Sequence, residues 1–298
     1  MSAAAALQKP AAARLSGRRQ GVDRVPQQQV RGEVRLVLSA SRGPTRVEHL
    51  YQCDPLRLLR PNPAPGDPLT AVLLNTAGGL VAGDRLHVSV AAGAGSSALL
   101  VAQSAEKVYR SEGARVQVRV ELTAAAGAWL EWLPQETILF DGARLCRQTQ
   151  LELAAQARVL AGEILVLGRL SSGERFRRGA LREAWQLRVD GRLVWLDALE
   201  LEADPEDCIR APAGFGGASA CATLVHWTPQ ADERLQALRP LLPAGQDLRA
   251  GATIVNGLLL VRWLARDPLR LRQSYAEVWT ALRSAAGFPQ RLPRLWHA

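Results

Sequence analysis

The chain has 298 residues, 48% of them hydrophobic and 22% charged, a globular composition with enough apolar material for a sizeable core. Every hydrophobic stretch is cut by Arg, Gly or a carboxylate, so nothing approaches the roughly 18 uninterrupted apolar residues of a membrane-spanning helix. Cys53, Cys146, Cys208 and Cys221 stand far apart with no CxxC, which excludes a disulfide-dense scaffold and the usual zinc spacings and makes a reducing, cytoplasmic setting the default.

The formal charge of +9 is unevenly spread. Residues 1–30 carry five basic groups against Asp23, and residues 262–298 carry seven arginines against Asp267 and Glu277. Residues 31–261 then hold 25 basic and 25 acidic groups, a neutral body. This distribution weakens the main alternative reading of a basic β-rich chain, a nucleic-acid-binding module. Of the 37 basic residues only Lys9 and Lys107 are lysines.

Residues 1–30 read as a disordered basic tail, because Ala, Arg, Ser and Gln cannot bury enough surface to offset their ordering entropy. The tail also has the Arg-rich, acid-poor composition of an organelle transit peptide, and it lacks the apolar segment of a secretory signal. From residue 31 to 298 the pattern is that of one β-rich domain with a helical C-terminal part. Val34, Leu36 and Leu38 alternate with other residues, as do Leu86, Val88 and Val90, and then Val116, Val118, Val120 and Leu122. Such period-2 segments are half-buried strands. Apolar runs at 98–102, 128–133, 164–167 and 193–196 are bounded by turn residues and read as further strands. No alternation of strand and helix appears before residue 225.

The period changes in the last third. Residues 229–242 form a short amphipathic helix candidate and 267–286 a stronger one, with Asp267 as N-cap, Pro268 at the first helical position and Gly287 past the end. Leu271, Tyr275, Val278 and Leu282 recur at helical spacing as a packing stripe. The predicted fold class is therefore mainly β with a few C-terminal helices.

The glycine-dense segment 75–84 is followed by a strand rather than a helix and lacks Gly-Lys-Ser/Thr, so it is a pair of tight turns, with Asp84 capping the second, rather than a phosphate loop. Glu131 stands between Trp129 and Leu133 on its own strand face, and Glu163 precedes the apolar run 164–167. Each is desolvated and needs an arginine, a raised pKa, a metal or trapped water. Histidines 49, 87, 226 and 297 are scattered. Cys208, Cys221 and His226 match no standard metal spacing, and no GxSxG elbow occurs. A hydrolase built on two facing buried carboxylates stays open.

Asn75-Thr-Ala-Gly-Gly-Leu-Val-Ala-Gly-Asp-Arg-Leu86, then Lys107-Val-Tyr-Arg-Ser111, then Leu133-Pro-Gln-Glu-Thr-Ile-Leu-Phe-Asp-Gly-Ala143 resemble the urease accessory protein UreD (UreH) family. Leu167-Gly-Arg169 with Gly173-Glu-Arg-Phe176, and the ending Leu292-Pro-Arg-Leu-Trp296, continue the likeness in order, over residues 33–298. Two departures stand out: Val101-Ala102-Gln103 replaces the family's usual Thr-Thr-Gln, and Ala82 replaces a frequent glycine. The resemblance implies a non-enzymatic, many-stranded scaffold that binds the helical accessory protein UreF and through it the GTPase UreG. It also implies docking on apo-urease and help with nickel delivery, through a polar interior passage and with no tightly bound cofactor. Asp84, Glu131, Glu136, Asp141 and Glu163 are the candidate residues for transient nickel contact, while Lys107, Tyr109 and Arg110 organise the fold or a docking face. Oxygen ligands suit an ion in transit, because a thiolate or multi-histidine cage would hold it.

Overall fold

The structure, a computed structural model, describes residues 29–297 apart from Arg42 and Ala203. The tail predicted over residues 1–30 lies almost wholly outside the described residues. Strand β1 (Arg31–Ser39) buries Val34, Leu36 and Leu38 and pairs antiparallel with β2 (Arg46–Cys53). β3 (Leu56–Leu59) and β4 (Leu69–Asn75) open a second sheet. The chain then steps back and forth: β5 (Arg85–Ala92) joins the first sheet, β6 (Ser97–Ala102) the second, β8 (Val116–Ala124) the first and β9 (Trp129–Leu133) the second. β11 (Arg144–Leu153), β12 (Arg158–Leu167) and β13 (Ala180–Val189) continue the alternation. Two three-residue strands, β7 (Glu106–Val108) and β10 (Thr137–Leu139), pair with each other, and β10 also pairs with β12.

Because successive strands of one sheet are separated by a strand of the other, neighbours β1, β5, β8, β11 and β13 run parallel, as do β4, β6, β9 and β12. The result is a solenoid-like double layer. β14 (Arg192–Leu201) closes the first sheet as an antiparallel edge. β15 (Ala220–Trp227), β16 (Leu248–Val255) and β17 (Leu258–Ala265) extend the second, again antiparallel.

The two sheets differ in burial. Strands of the first alternate buried and exposed, as in β8, where Val116, Val120 and Leu122 face in and Gln117 and Arg119 face out. Strands of the second are buried on both faces, as in β9 and β12. On β12, Val159, Ala161, Leu165 and Leu167 join the core between the sheets, while Leu160, Ile164 and Val166 face a second core under the helices. Period-2 geometry thus assigns odd and even residues to two separate interiors.

Helix α3 (Pro268–Ala285) covers the second core. Asp267 caps it by accepting from Leu269 N–H at 2.9 Å, and Gly287, at φ +92°, follows its end. The predicted stripe Leu271, Tyr275, Val278 and Leu282 is buried, joined by Trp279 and Arg283. Helix α2 (Ala231–Leu238) is shorter than the predicted 229–242, because Pro240 stands in the 3-10 turn Arg239–Leu241 and lacks the N–H needed to continue. Helix α1 (Pro205–Arg210) was not predicted, although Asp204-Pro205 is an N-terminal signal. The β16–β17 hairpin separates α2 from α3, so strands and helices interleave in the last third instead of running in blocks. Its turn, Asn256-Gly257 with both φ positive, is a hairpin signature. Among the described residues no helix is long and apolar enough to cross a membrane.

Gly162 on β12 marks the closest approach of α3. A Cβ there would run into the Tyr275 hydroxyl and come within 2.7 Å of the Thr223 carbonyl oxygen. The Gly162→Ala variant should therefore lose roughly 1–3 kcal/mol through forced separation of α3 from the sheet, read as a lower urea midpoint.

Candidate functional site

Three motifs far apart in sequence close around one cavity. Leu80 bridges Val108: Leu80 N–H donates to the Lys107 carbonyl at 2.7 Å and Tyr109 N–H to the Leu80 carbonyl at 2.9 Å, which stitches the glycine-rich turn to β7. Gly79 permits this approach, since its φ is +146° and a side chain would collide with the Tyr109 ring. The Tyr109 hydroxyl donates to the Gly78 carbonyl. Behind this stitch lies a cavity of about 320 Å³ whose lining includes Asn75, Gly78, Gly79, Glu106 and Lys107 at one end and Thr137, Arg147 and Glu163 at the other. Gly78 and Lys107 are exposed, whereas Arg147 and Glu163 are buried between the sheets.

At the rim, half-buried Glu106 accepts two contacts from Asn75 Nδ2, at 3.0 and 3.1 Å. Burial pushes the Glu106 pKa above the ordinary range, and the Asn75 bond and the Arg147 charge only partly offset it. At the inner end, Arg147 on β11 stands in register beside Glu183 on β13, and Glu163 reaches across from β12. Arg147 Nε donates to both Glu183 oxygens, at 2.8 and 3.0 Å, Nη1 donates to Thr137 Oγ1 at 2.8 Å, and Nη2 lies 2.5 Å from Glu163 Oε2. Thr149 Oγ1 donates to the other Glu163 oxygen at 2.8 Å. Burial opposes the charge on Arg147, but the two carboxylates outweigh it and hold the guanidinium protonated. Burial, reinforced by Glu163, pushes the Glu183 pKa well up despite Arg147.

Beyond Arg147 lies a void of about 40 Å³ lined by Glu163, Glu183, Asp197, Cys221 and Thr223 among others. Burial, with the Glu183 charge adding to it, pushes the Cys221 thiol up to about 12 and keeps it neutral. The two facing carboxylates that a hydrolase would need are Glu163 and Glu183, and one guanidinium is bound to both.

A family model for the UreD urease accessory protein matches residues 30–297. The chain is 46% identical over 275 residues to a urease accessory protein UreD of Magnetococcus marinus, covering 91% of this chain and 95% of the relative. A UreD of Xanthobacter autotrophicus is 43% identical, with 92% of each chain covered, and one of Methylobacterium sp. is 43% identical, with 89% and 95% covered. The chain belongs to the UreD family of urease accessory proteins. Its relatives are named accessory proteins, not enzymes, and the family places it with the machinery of urease maturation.

The five candidate residues of this UreD-family chain do not share one site. Glu163 alone lines the cavity. Glu131 lies on the other face of the second sheet, wholly buried beneath α3, where Trp129 Nε1 and Trp279 Nε1 each donate to it at 2.9 Å and Arg283 Nε at 3.1 Å. Arg283 also donates to Asp67 at 2.9 Å and to the Arg291 carbonyl, so the pair clamps helix to sheet. Burial raises the Glu131 pKa even so, against the Arg283 charge and the donors. Glu136 is taken by Arg272 of α3, whose guanidinium stacks on Trp296 at 4.4 Å. Asp84 accepts from Val30 N–H and Val81 N–H, both at 2.9 Å, and caps its turn. Asp141 accepts from the N–H groups of Arg177 and Arg178, both at 2.9 Å. Its partial burial works upward, but those bonds and the arginine charges hold it below the ordinary range.

Sequence reasoning did not single out Glu106, Arg147 and Glu183. Glu183 sits on β13 among alternating apolar residues, the same signal that marked Glu131. Lys107 is exposed at the rim, and Tyr109 and Arg110 pack on the glycine turns Gly79 and Gly142. Among the described residues no group of three His, Cys, Asp or Glu is arranged to hold a metal ion. Cys208 is exposed on α1, and Cys221 and His226 face opposite sides of β15. His226 bonds the Val159 carbonyl at 2.9 Å beneath the helices, and burial lowers its pKa to about 4.

Replacing Glu131 by Gln should cost about 1–2 kcal/mol, because Arg283 loses one of its two buried carboxylates and keeps Asp67, and lower Tm by roughly 3–6 °C. Calorimetry should show a loss no larger for Glu163→Gln, since Arg147 likewise keeps Glu183. His226 takes up a proton at its ordinary pKa of 6.5 when unfolded but only near 4 when folded, so stability falls as pH drops from 6.5 towards 4. The loss approaches roughly 3 kcal/mol at the low end. His226→Gln should flatten that part of the urea-midpoint profile.

Proposed function

We propose that this chain is a nickel-delivery scaffold of urease maturation, binding UreF, through it UreG, and apo-urease, while its inter-sheet interior conducts the ion. The observation that carries this reading is the charged inner end of the cavity, where Glu163 and Glu183 from opposite sheets meet between a 320 Å³ chamber and a 40 Å³ void. The route runs from Glu106 at the rim, past Thr137, Glu163 and Glu183, to Asp197, whose side chain is 30% exposed on the far side. Its ligands are carboxylate and hydroxyl oxygens, which exchange readily around a divalent ion, whereas Cys221 stays a neutral thiol and binds poorly. The Trp132 indole N–H lines the same chamber with no hydrogen-bond partner in the protein, as suits a wet interior. Glu131, Glu136, Asp84 and Asp141 serve the fold that encloses this route.

Glu163→Gln should leave UreF and urease subunits co-purifying with the chain while lowering urease activation at limiting nickel by fivefold or more, on the order expected for losing one charged ligand. Full activation with Glu163→Gln speaks against the passage, and loss of co-purification shows that the residue serves assembly instead.

A further inference from the structure

We infer that Arg147 is the gate of this passage: its guanidinium plugs the junction of the two inter-sheet cavities and is exchanged for the divalent cation that moves through. The inference rests on the passage reading and names the residue that regulates it. Arg147 and Glu163 are the two residues that line both cavities. Arg147 belongs to the first sheet and Glu163 to the second, so the ion pair closes the gap from wall to wall.

Charge favours exchange. Two carboxylates face one guanidinium, which leaves one negative charge to be balanced or one proton to be held by Glu183. A divalent ion neutralises both carboxylates at once. The contact is also imperfect, since Arg147 Nη2 and Glu163 Oε2 are 2.5 Å apart yet neither atom has a hydrogen bond. The Glu183 side is well aligned by comparison, with Nε between both oxygens. The Glu163 arm is therefore the one that opens.

The displaced guanidinium has somewhere to go. Its Nη1 already points to Thr137, a wall residue of the 320 Å³ chamber, so a rotation of the side chain into that chamber clears the junction while keeping the Thr137 bond. Downstream the void of about 40 Å³ is about an eighth of the chamber's volume and holds only a few waters. An ion crossing the junction must exchange its water for Glu163, Glu183 and Thr223 oxygens before it reaches Asp197, which Arg262 holds at the exit. A plug that yields only to a charge able to take both carboxylates keeps sodium, potassium and bulk water out.

The test is equilibrium dialysis of the untagged full chain against nickel chloride, with the folded fraction followed by circular dichroism. Arg147→Gln frees both carboxylates and should bind one additional nickel ion per chain with at least tenfold higher affinity than the parent, an increase that Glu163→Gln in the same background abolishes. Arg147→Lys keeps the charge but cannot span both carboxylates with a planar fork. It should gain a smaller, severalfold affinity and serves where Arg147→Gln does not fold. Unchanged nickel affinity in a folded Arg147→Gln or Arg147→Lys chain overturns the gate. The two ideas separate cleanly: normal urease activation by Glu163→Gln with extra nickel on Arg147→Gln removes the passage and keeps the exchange. Impaired activation by Glu163→Gln with no extra nickel on either Arg147 variant keeps the passage and removes the gate.

Discussion

The central strands of the second sheet, β9 and β12, are buried on both faces, and much else in the molecule follows from that constraint. One face packs against the first sheet and the other against α2, α3 and the C-terminal segment. A strand in such a sheet has no solvent side on which to place a charge, so each polar side chain must find a partner in one of two interiors. Glu131 and Glu163 are the same residue type in similar sequence settings, yet pleat parity sends them in opposite directions. Glu131 meets two indole N–H groups and Arg283, and Glu163 meets Arg147 across the inter-sheet space.

Arginine resolves both cases. Five arginines of the basic C-terminal stretch form ion pairs within the molecule: Arg262 pairs with Asp197, Arg266 with Asp247, Arg272 with Glu136, Arg283 with Glu131 and Asp67, and Arg291 with Asp67. Of these, the Arg272 and Arg283 pairs fasten α3 over the second sheet, and Arg262 ties that sheet to Asp197 on β14 of the first. A buried pair contributes little beyond its desolvation cost, but breaking one is expensive, so such pairs fix where the helix sits more than how stable it is. The Glu131 site, with every oxygen occupied by donors, is built for permanence. The Arg147 site holds an ion pair out of hydrogen-bond alignment, Nη2 to Glu163 Oε2, with a cavity on either side, which is the contrast on which the proposed gate rests.

The chemistry of the inter-sheet interior bears on the passage proposed for it. Its walls are largely apolar and the polar groups set in them are mostly oxygens, the thiol of Cys221 is held neutral by burial, and the buried His226 lies in the other interior with a pKa of about 4. One departure of the chain from its family pattern touches the same region, since Ala102 lines the chamber where a hydroxyl residue is usual. Glu106 and Asn75 supply polar groups at that rim instead.

The sequence by itself determined the β class, the cleanest strands, and α3 with its cap, stop and buried stripe, because period and capping are local properties of consecutive residues. It also marked Glu131 and Glu163 as charges out of place, and five ordered motifs identified the family. The parallel order of strands within each sheet was not legible, since pairing joins residues that are far apart in the chain. The interleaved β16–β17 hairpin was missed even though Asn256-Gly257 announces it. What only the tertiary structure decided is which carboxylates share a space. Glu131 and Glu163 look alike in sequence, but the register of β11 on β13 and the face that β12 turns to the first sheet bring Glu163 to Arg147 and Glu183. A side chain's own strand fixes only that it alternates; what lies opposite is set by strands that fold against it from elsewhere.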